Sequence, residues 1–113
     1  MPLEIPVALQ RAARSMTGPD RGLVGWTRPD AQAVLTSLAG SRVVISRGEV
    51  YRTMAHDPVP IADWDCPRAP REDANAYAGR SQAVAWSHVR RHLDEYSGAV
   101  LFVFFFDDQR TAA

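Results

Sequence analysis

Two histidines on one predicted helix are the first residues whose spacing could do chemistry. His88 and His92 are four positions apart, which places both imidazoles on one helix face, with Glu95 a turn further along. Imidazoles in that arrangement can share a zinc ion. A zinc-hydrolase helix would carry a glutamate directly after the first histidine, where this chain has Val89, and the spacing supplies no third ligand. We therefore expect no metal and no cofactor, with both histidines beside the apolar stripe of the helix.

The single cysteine offers a second kind of chemistry. Cys66, together with His56 or His88 and with Asp63, has the residue types of a nucleophilic triad. No local sequence resembles a nucleophile elbow or a thiol-protease motif, and an isolated cysteine is more often a small packing residue. We predict no catalytic residues. A small hydrolase using His88, His92 or Cys66 is the alternative function, and an accessory protein-interaction module is another.

An aromatic residue between two carboxylates lies in a proline-rich stretch and suits a binding surface. The residues are Asp63, Trp64 and Asp65. In one interpretation Trp64 buries its ring, and the carboxylates are solvated or pair with Arg68 and Arg71. In the other, Trp64 anchors a contact with a basic protein surface. We favour burial of Trp64, while the two acids suit an interface under either interpretation.

Three helices are predicted from apolar periodicity and from capping residues. A short amphipathic helix covers residues 5 to 14. A second covers residues 28 to 39, with Thr27 as its N-cap and Gly40 placed for a left-handed C-terminal cap. The third covers residues 73 to 96 and begins at an aspartate that suits an N-cap. These helices supply apolar faces that a sheet would cover.

The candidate acids lie in a predicted strand and in the stretch that follows it. Residues 43 to 54 are typical of two strands or of one bulged strand, depending on whether Gly48 forms a tight turn or a bulge. Glu49 and Tyr51 alternate onto one strand face, so they could share a surface with the two aspartates. Residues 56 to 71 are rich in proline and are expected to be mostly loop, with a short edge strand at 61 to 65.

The most apolar stretch of the chain sets the predicted fold class. Residues 99 to 106 are apolar at both alternating sets of positions, as in a strand covered on both faces. The elements together predict an α+β fold. A small, mainly antiparallel sheet, centred on this C-terminal strand, is packed by two or three helices.

Length and charge bound the class of protein. The chain has 113 residues, 46% of them hydrophobic, and thirteen basic residues balance thirteen acidic ones. This length suits one domain, residues 1 to 113, with residues 1 to 26 as a peripheral N-terminal segment and residues 107 to 113 as a frayed tail. The balanced charge disfavours general nucleic-acid binding.

The N-terminal residues bear on the expected location. They include Glu4 and lack the basic start and sustained apolar stretch of a signal peptide. The longest apolar run, residues 99 to 106, is far shorter than the roughly eighteen residues that a membrane-spanning helix needs. Cys66 alone cannot form an intramolecular disulfide. We expect a cytoplasmic protein that does not cross a membrane, and the sequence leaves its oligomeric state open.

Short motifs follow one another in a particular order along the chain. Residues 46 to 51, Ser-Arg-Gly-Glu-Val-Tyr, are similar to a Gly-Gly-Asp-Val-Tyr stretch. Residues 64 to 66, Trp-Asp-Cys, are similar to a Trp-x-Cys element. A predicted helix containing Tyr77, Arg80 and Ser81 comes next, and a hydrophobic strand ends the series.

In this order, across residues 27 to 106, the motifs resemble the immunity protein 40 family, small proteins of bacterial polymorphic toxin systems. Arg47 stands where the family pattern has a glycine, and Glu49 stands where it has an aspartate. The resemblance implies a protein that neutralises a cognate toxin by covering it stoichiometrically, without turnover. On that basis the expected partner-binding residues are Glu49, Tyr51, Asp63, Trp64 and Asp65.

Overall fold

The computed structural model describes residues 1–15, 23–54, 57–92, 100–107 and 109, of which 54 and 57 are described by backbone only. Three helices and five strands alternate irregularly along these ranges. In chain order they are α1 (Val7–Ala12), β1 (Arg14–Ser15), β2 (Val24–Thr27), α2 (Arg28–Leu38), β3 (Val44–Met54), β4 (Asp57–Asp65), α3 (Ala74–Arg91) and β5 (Val100–Asp107).

The five strands form one open antiparallel sheet in the order β1-β2-β5-β3-β4. β5 is therefore the central strand, as its two-sided apolar pattern predicts. The three helices pack on this sheet, and the α+β prediction is confirmed. The face of the sheet that carries Val50, Phe102 and Phe104 contacts the helices and is called the helix face below. The opposite face carries Tyr51 and Leu101 and is called the second face.

The main core includes residues from the N-terminal part of the chain. Ile5 and Trp26 are each only 1% exposed and belong to the same buried cluster as Phe102. The Trp26 indole Nε1 donates a hydrogen bond of 2.8 Å to the carbonyl oxygen of Leu9. This bond ties α1 to β2, so part of the stretch expected to be peripheral lies in the core.

The residues predicted to cap the two longer helices lie at the expected positions, and Asp73 and Gly40 form the predicted caps. Thr27 precedes α2, although its side chain makes no capping hydrogen bond, and Gly40 follows α2 with a φ of 80°. The Asp73 carboxylate accepts a hydrogen bond of 2.8 Å from the backbone N–H of Ala76 and so caps α3. α3 ends at Arg91. The predicted extension through residues 93 to 96 lies outside the described residues.

The prediction that the proline-rich stretch is mostly loop is wrong for residues 57 to 60. β4 runs through Pro58 and Pro60 and pairs with β3 along its length, with an irregularity opposite Val50 and Tyr51. Proline is tolerated because β4 is an edge strand, which needs ladder bonds on one side only. The predicted edge strand at 61 to 65 is confirmed as the end of this longer strand.

Gly48 is neither a turn nor the bulge itself. It lies within the continuous β3 strand, paired with Trp64 on one side and with Phe104 on the other. The register shifts instead between Ile45 and Arg47 against β5, and between Val50 and Tyr51 against β4. The alternative of one bulged strand is therefore the observed one.

Candidate functional site

Strand alternation places four of the five predicted binding residues on one face. Asp63 and Asp65 on β4 are directly opposite Glu49 and Arg47 on β3, so these side chains lie on the second face. Tyr51, two positions after Glu49, shares that face. Asp63 and Asp65 are exposed, whereas Tyr51 is buried.

Trp64, the fifth predicted residue, belongs to the helix face because it lies between the two aspartates on the strand. Its side chain is 6% exposed and joins the main core, which confirms the prediction that it is buried. The indole ring lies over Gly48 on β3 and stacks on the imidazole of His88 from α3, with centroids 4.4 Å apart and planes 5° apart. Trp64 therefore packs beneath the acidic residues, between the sheet and α3.

A hydrogen-bonded ion pair holds Glu49 in place on the second face. Arg47 donates to Glu49 Oε2 at 3.0 Å, and the Tyr51 hydroxyl donates to Glu49 Oε1 at 2.9 Å. The Arg47 guanidinium also lies over the Phe105 ring, 5.6 Å from its centroid. Both carboxylate oxygens of Glu49 thus have a fixed partner, and the orientation of the side chain is set by its own strand.

The two aspartates differ from Glu49 in having no side-chain partner among the described residues. Across the described parts of the chain, neither Asp63 nor Asp65 forms a side-chain hydrogen bond or ion pair. Asp63 faces the carboxylate of Glu49, and like charges directly opposite one another destabilise a strand pair. Asp65 faces Arg47, which is an attractive pairing. The surface formed by Arg47, Glu49, Asp63 and Asp65 carries three carboxylates and one guanidinium, and we call it the acidic strand surface.

The hydrogen-bond register determines which type of cross-strand pair Asp63 and Glu49 form. The backbone N–H of Cys66 donates to the carbonyl oxygen of Ser46 at 2.8 Å. Cys66 and Ser46 are therefore a hydrogen-bonded pair, and the two types of pair alternate along an antiparallel ladder. The pair of Asp65 with Arg47 and the pair of Asp63 with Glu49 are thus non-hydrogen-bonded pairs. Side chains are closest in pairs of this type. The register therefore places the two acidic side chains next to each other, and the ion pair of Arg47 with Glu49 offsets part of their repulsion.

A second polar cluster, which the sequence reasoning did not identify, surrounds the end of β4. Arg80 on α3 forms a bidentate pair with Glu72, with its Nε and Nη2 each 2.7 Å from a carboxylate oxygen. It also donates to the Pro67 carbonyl and lies 3.2 Å from Cys66 Sγ. The Tyr77 hydroxyl donates to the Cys66 carbonyl at 2.7 Å. These bonds fix the chain where β4 leaves the sheet. The spacing of Tyr77 and Arg80, three apart on one helix face, was the available sequence signal.

The charged groups of this cluster stabilise one another in their ionised forms. The Arg80 guanidinium and the backbone N–H of Ala69 lower the pKa of Glu72 to about 2, and Glu72 in turn raises the pKa of Arg80. Burial raises the pKa of the Cys66 thiol, although the charge of Arg80 opposes this. Cys66 is 2% exposed, so neither its protonation nor its access suits a nucleophile.

Cys66 and His88, two residues of the alternative hydrolase, lie at different positions along the length of α3. Cys66 contacts α3 at Arg80, whereas His88 lies eight residues further along that helix, about 12 Å at the usual rise. Asp63 has its side chain on the second face, and His56 lies outside the described residues. Burial is the main cause that lowers the pKa of both His88 and His92, and the charge of Arg91 adds to it.

The described ranges also bear on metal binding and on membrane crossing. No set of three or more His, Cys, Asp or Glu residues there could hold a metal ion, and Glu95 lies outside them. None of the helices in those ranges is both long and apolar enough to cross a membrane.

Comparisons of the chain with protein-family models, with curated proteins and with solved structures find no match. The resemblance to the immunity protein 40 family stays a prediction.

Proposed function

We propose that this chain is an immunity protein that neutralises a cognate bacterial toxin by binding it stoichiometrically through the acidic strand surface. The observation that carries the proposal is the placement of Asp63 and Asp65. Both carboxylates are exposed, lie on one face beside Glu49 and have no cationic side chain bound to them in the described ranges. A basic surface on the partner would supply the missing counter-charges.

The repulsion between Asp63 and Glu49 supports a binding role. Repulsion between the two carboxylates raises the free energy of the unbound sheet. A cation of the partner, placed beside them, lowers this free energy again. Binding of a basic partner would therefore gain both the new attraction and relief of the old repulsion. Partner binding explains why a carboxylate occupies a position where a neutral residue would make the sheet more stable.

The rigidity of the surface supports inhibition by a preformed shape. Trp64 locks β4 onto α3 from the helix face, and the Arg80 cluster fixes the end of the same strand. Because the backbone that carries Asp63 and Asp65 is already fixed, binding costs little backbone entropy. The motifs that resemble the immunity protein 40 family contact one another in this support. Gly48 lies under Trp64, and Cys66 contacts Tyr77 and Arg80.

Co-expression tests the proposed function. The chain is produced together with the C-terminal domain of the large secreted protein that the resemblance places directly upstream. We expect the chain to restore growth and to co-purify with that domain in a one-to-one complex. If the chain neither restores growth nor co-purifies with that domain, the immunity function is refuted.

Matched variants then test the surface. Asp63→Asn with Asp65→Asn raises the net charge by two, and Glu4→Lys does the same at an exposed position away from the strand. The double asparagine variant should lose rescue while keeping its melting temperature, and Glu4→Lys should rescue like the parent chain. Full rescue by the double variant would remove this surface from the proposal. Trp64→Ala should reduce both binding and stability, because the ring is part of the core.

A further inference from the structure

The exposed edge of β4 offers backbone hydrogen-bonding groups as well as carboxylates. β4 is the last strand of the sheet, so one side of its backbone has no neighbouring strand among the described residues. The bond from Cys66 N to Ser46 O shows that the backbone groups of Cys66 point inward, to β3. Backbone direction alternates along an antiparallel strand. The N–H and C=O groups of Asp63 and Asp65 therefore point outward.

The rest of this edge is blocked. Pro58 and Pro60 have no N–H to donate, and the register irregularity beside Ile61 interrupts the regular spacing of the ladder. Prolines and bulges are devices that keep edge strands from pairing with other chains. On β4 they protect the first half and leave residues 61 to 65 open. Pairing with another strand is thereby limited to one short segment.

The side chains around the open segment specify the chemistry of a suitable partner. Asp63 and Asp65 project onto the second face, and Ile61 is 40% exposed beside them. A strand placed alongside β4 would hold every second side chain close to these carboxylates. Arginine or lysine at alternate positions would match both their sign and their spacing.

We propose that the partner adds an extended segment with alternating basic residues to the β4 edge at residues 61 to 65. This inference rests on the proposed function and specifies how the toxin is held. Backbone bonds from Asp63 and Asp65 provide the attachment, and their carboxylates select basic side chains. The blocked half of β4 fixes the register of the added segment.

A peptide probe tests this mode on the full chain. We would titrate the isotope-labelled protein with a blocked peptide of alternating arginine and threonine residues and follow backbone amide signals by NMR. The amides of Asp63 and Asp65 should shift and exchange more slowly with solvent. The same peptide with N-methyl groups on the amides that face β4 should lose binding by about tenfold, because it cannot complete the ladder. Equal binding of both peptides would overturn the proposal.

A pair of variants at one position separates the backbone from the charge. Asp63→Asn and Asp63→Pro both remove the carboxylate, but only proline also removes the outward N–H. Proline should weaken peptide and toxin binding about tenfold beyond asparagine. Equal loss in both, with a folded proline variant, would leave the binding surface in place and reject strand addition. If Asp63→Pro does not fold, the N-methylated peptide decides.

Failure of this inference is distinguishable from failure of the proposed function. A toxin domain that binds the chain and responds to Asp63→Asn, without slowed exchange at Asp63 and Asp65, supports the function and rejects the edge. A chain that neither restores growth nor co-purifies with the toxin domain rejects the function, whatever the result with the peptide.

Discussion

The indole of Trp64 lies directly over the α-carbon of Gly48 on the neighbouring strand. A Cβ at position 48 would overlap ring atoms Cη2, Cζ2 and Cε2 of Trp64. The ring has little freedom to move because His88 stacks on it. Gly48→Ala should therefore lower the free energy of unfolding by about 1–3 kcal/mol, the usual range for an overpacked core. Denaturant titration of the variant measures this.

Gly79 provides the matched control for that substitution. It lies on the exposed side of α3, and a Cβ there would meet no atom within 4 Å. Gly79→Ala should raise the free energy of unfolding by about 0.5–1 kcal/mol, because alanine favours the helix. Equal effects of the two alanines would contradict the contact between Trp64 and Gly48.

The two aspartates should affect stability with opposite signs. Asp63→Asn removes a repulsion with Glu49 and should raise the free energy of unfolding by about 0.2–1 kcal/mol. Asp65→Asn removes an attraction with Arg47 and should lower it by a similar amount or less. Thermal unfolding at low ionic strength shows the difference most clearly, and added salt should reduce both effects. Two variants that shift stability in the same direction would contradict the register described for β3 and β4.

Stability should fall as the histidines of α3 are protonated. The folded pKa of His88 lies below its ordinary value of 6.5, so the unfolded chain binds the proton more readily. The stability that the neutral imidazole contributes is fully present above the ordinary pKa of 6.5. It decreases as the pH falls from this value towards the folded pKa. Urea unfolding from about pH 7.5 to about pH 5.5 should show this slope. His88→Gln should reduce it, and His92→Gln should remove a further part. A slope unchanged by both substitutions would refute the assignment.

The Arg80 cluster should make the chain sensitive to strong acid. The pKa of Glu72 is about 2 in the folded chain against an ordinary value of 4.5. Its contribution is present above pH 4.5 and disappears as pH falls to about 2. Glu72→Gln should lower the melting temperature at neutral pH, and the variant and parent should converge near pH 2. Parallel curves over this range would exclude the ion pair as a contributor.

Local patterns predicted much of this architecture. The caps at Asp73 and Gly40 and the two-sided apolar run ending at Phe106 depend on neighbouring residues only, and they define α2, α3 and the central strand. The first half of β4 was missed because Pro58 and Pro60 oppose strand structure unless the strand is at an edge. Whether a strand lies at the edge depends on the whole sheet. The local preferences of residues 57 to 60 therefore do not predict it.

The candidate site was predictable in part for the same reason. Two-residue alternation relates Glu49 to Tyr51 and Asp63 to Asp65, and it also separates Trp64 from its acidic neighbours once the strand is assigned. The pairing of Asp63 with Glu49 depends on the register between the two strands. The Arg80 cluster joins a helix to the end of a strand, so its members reveal their relationship only in the folded chain.

Calorimetric titration with the purified toxin domain shows whether the proposed toxin binds to the acidic strand surface. We expect the parent chain and Glu4→Lys to bind at one-to-one stoichiometry with equal affinity. The double variant Asp63→Asn, Asp65→Asn, which has the same net charge as Glu4→Lys, should bind about tenfold or more weakly. Affinity equal to that of Glu4→Lys, from a double variant that is fully folded, would contradict binding at this surface.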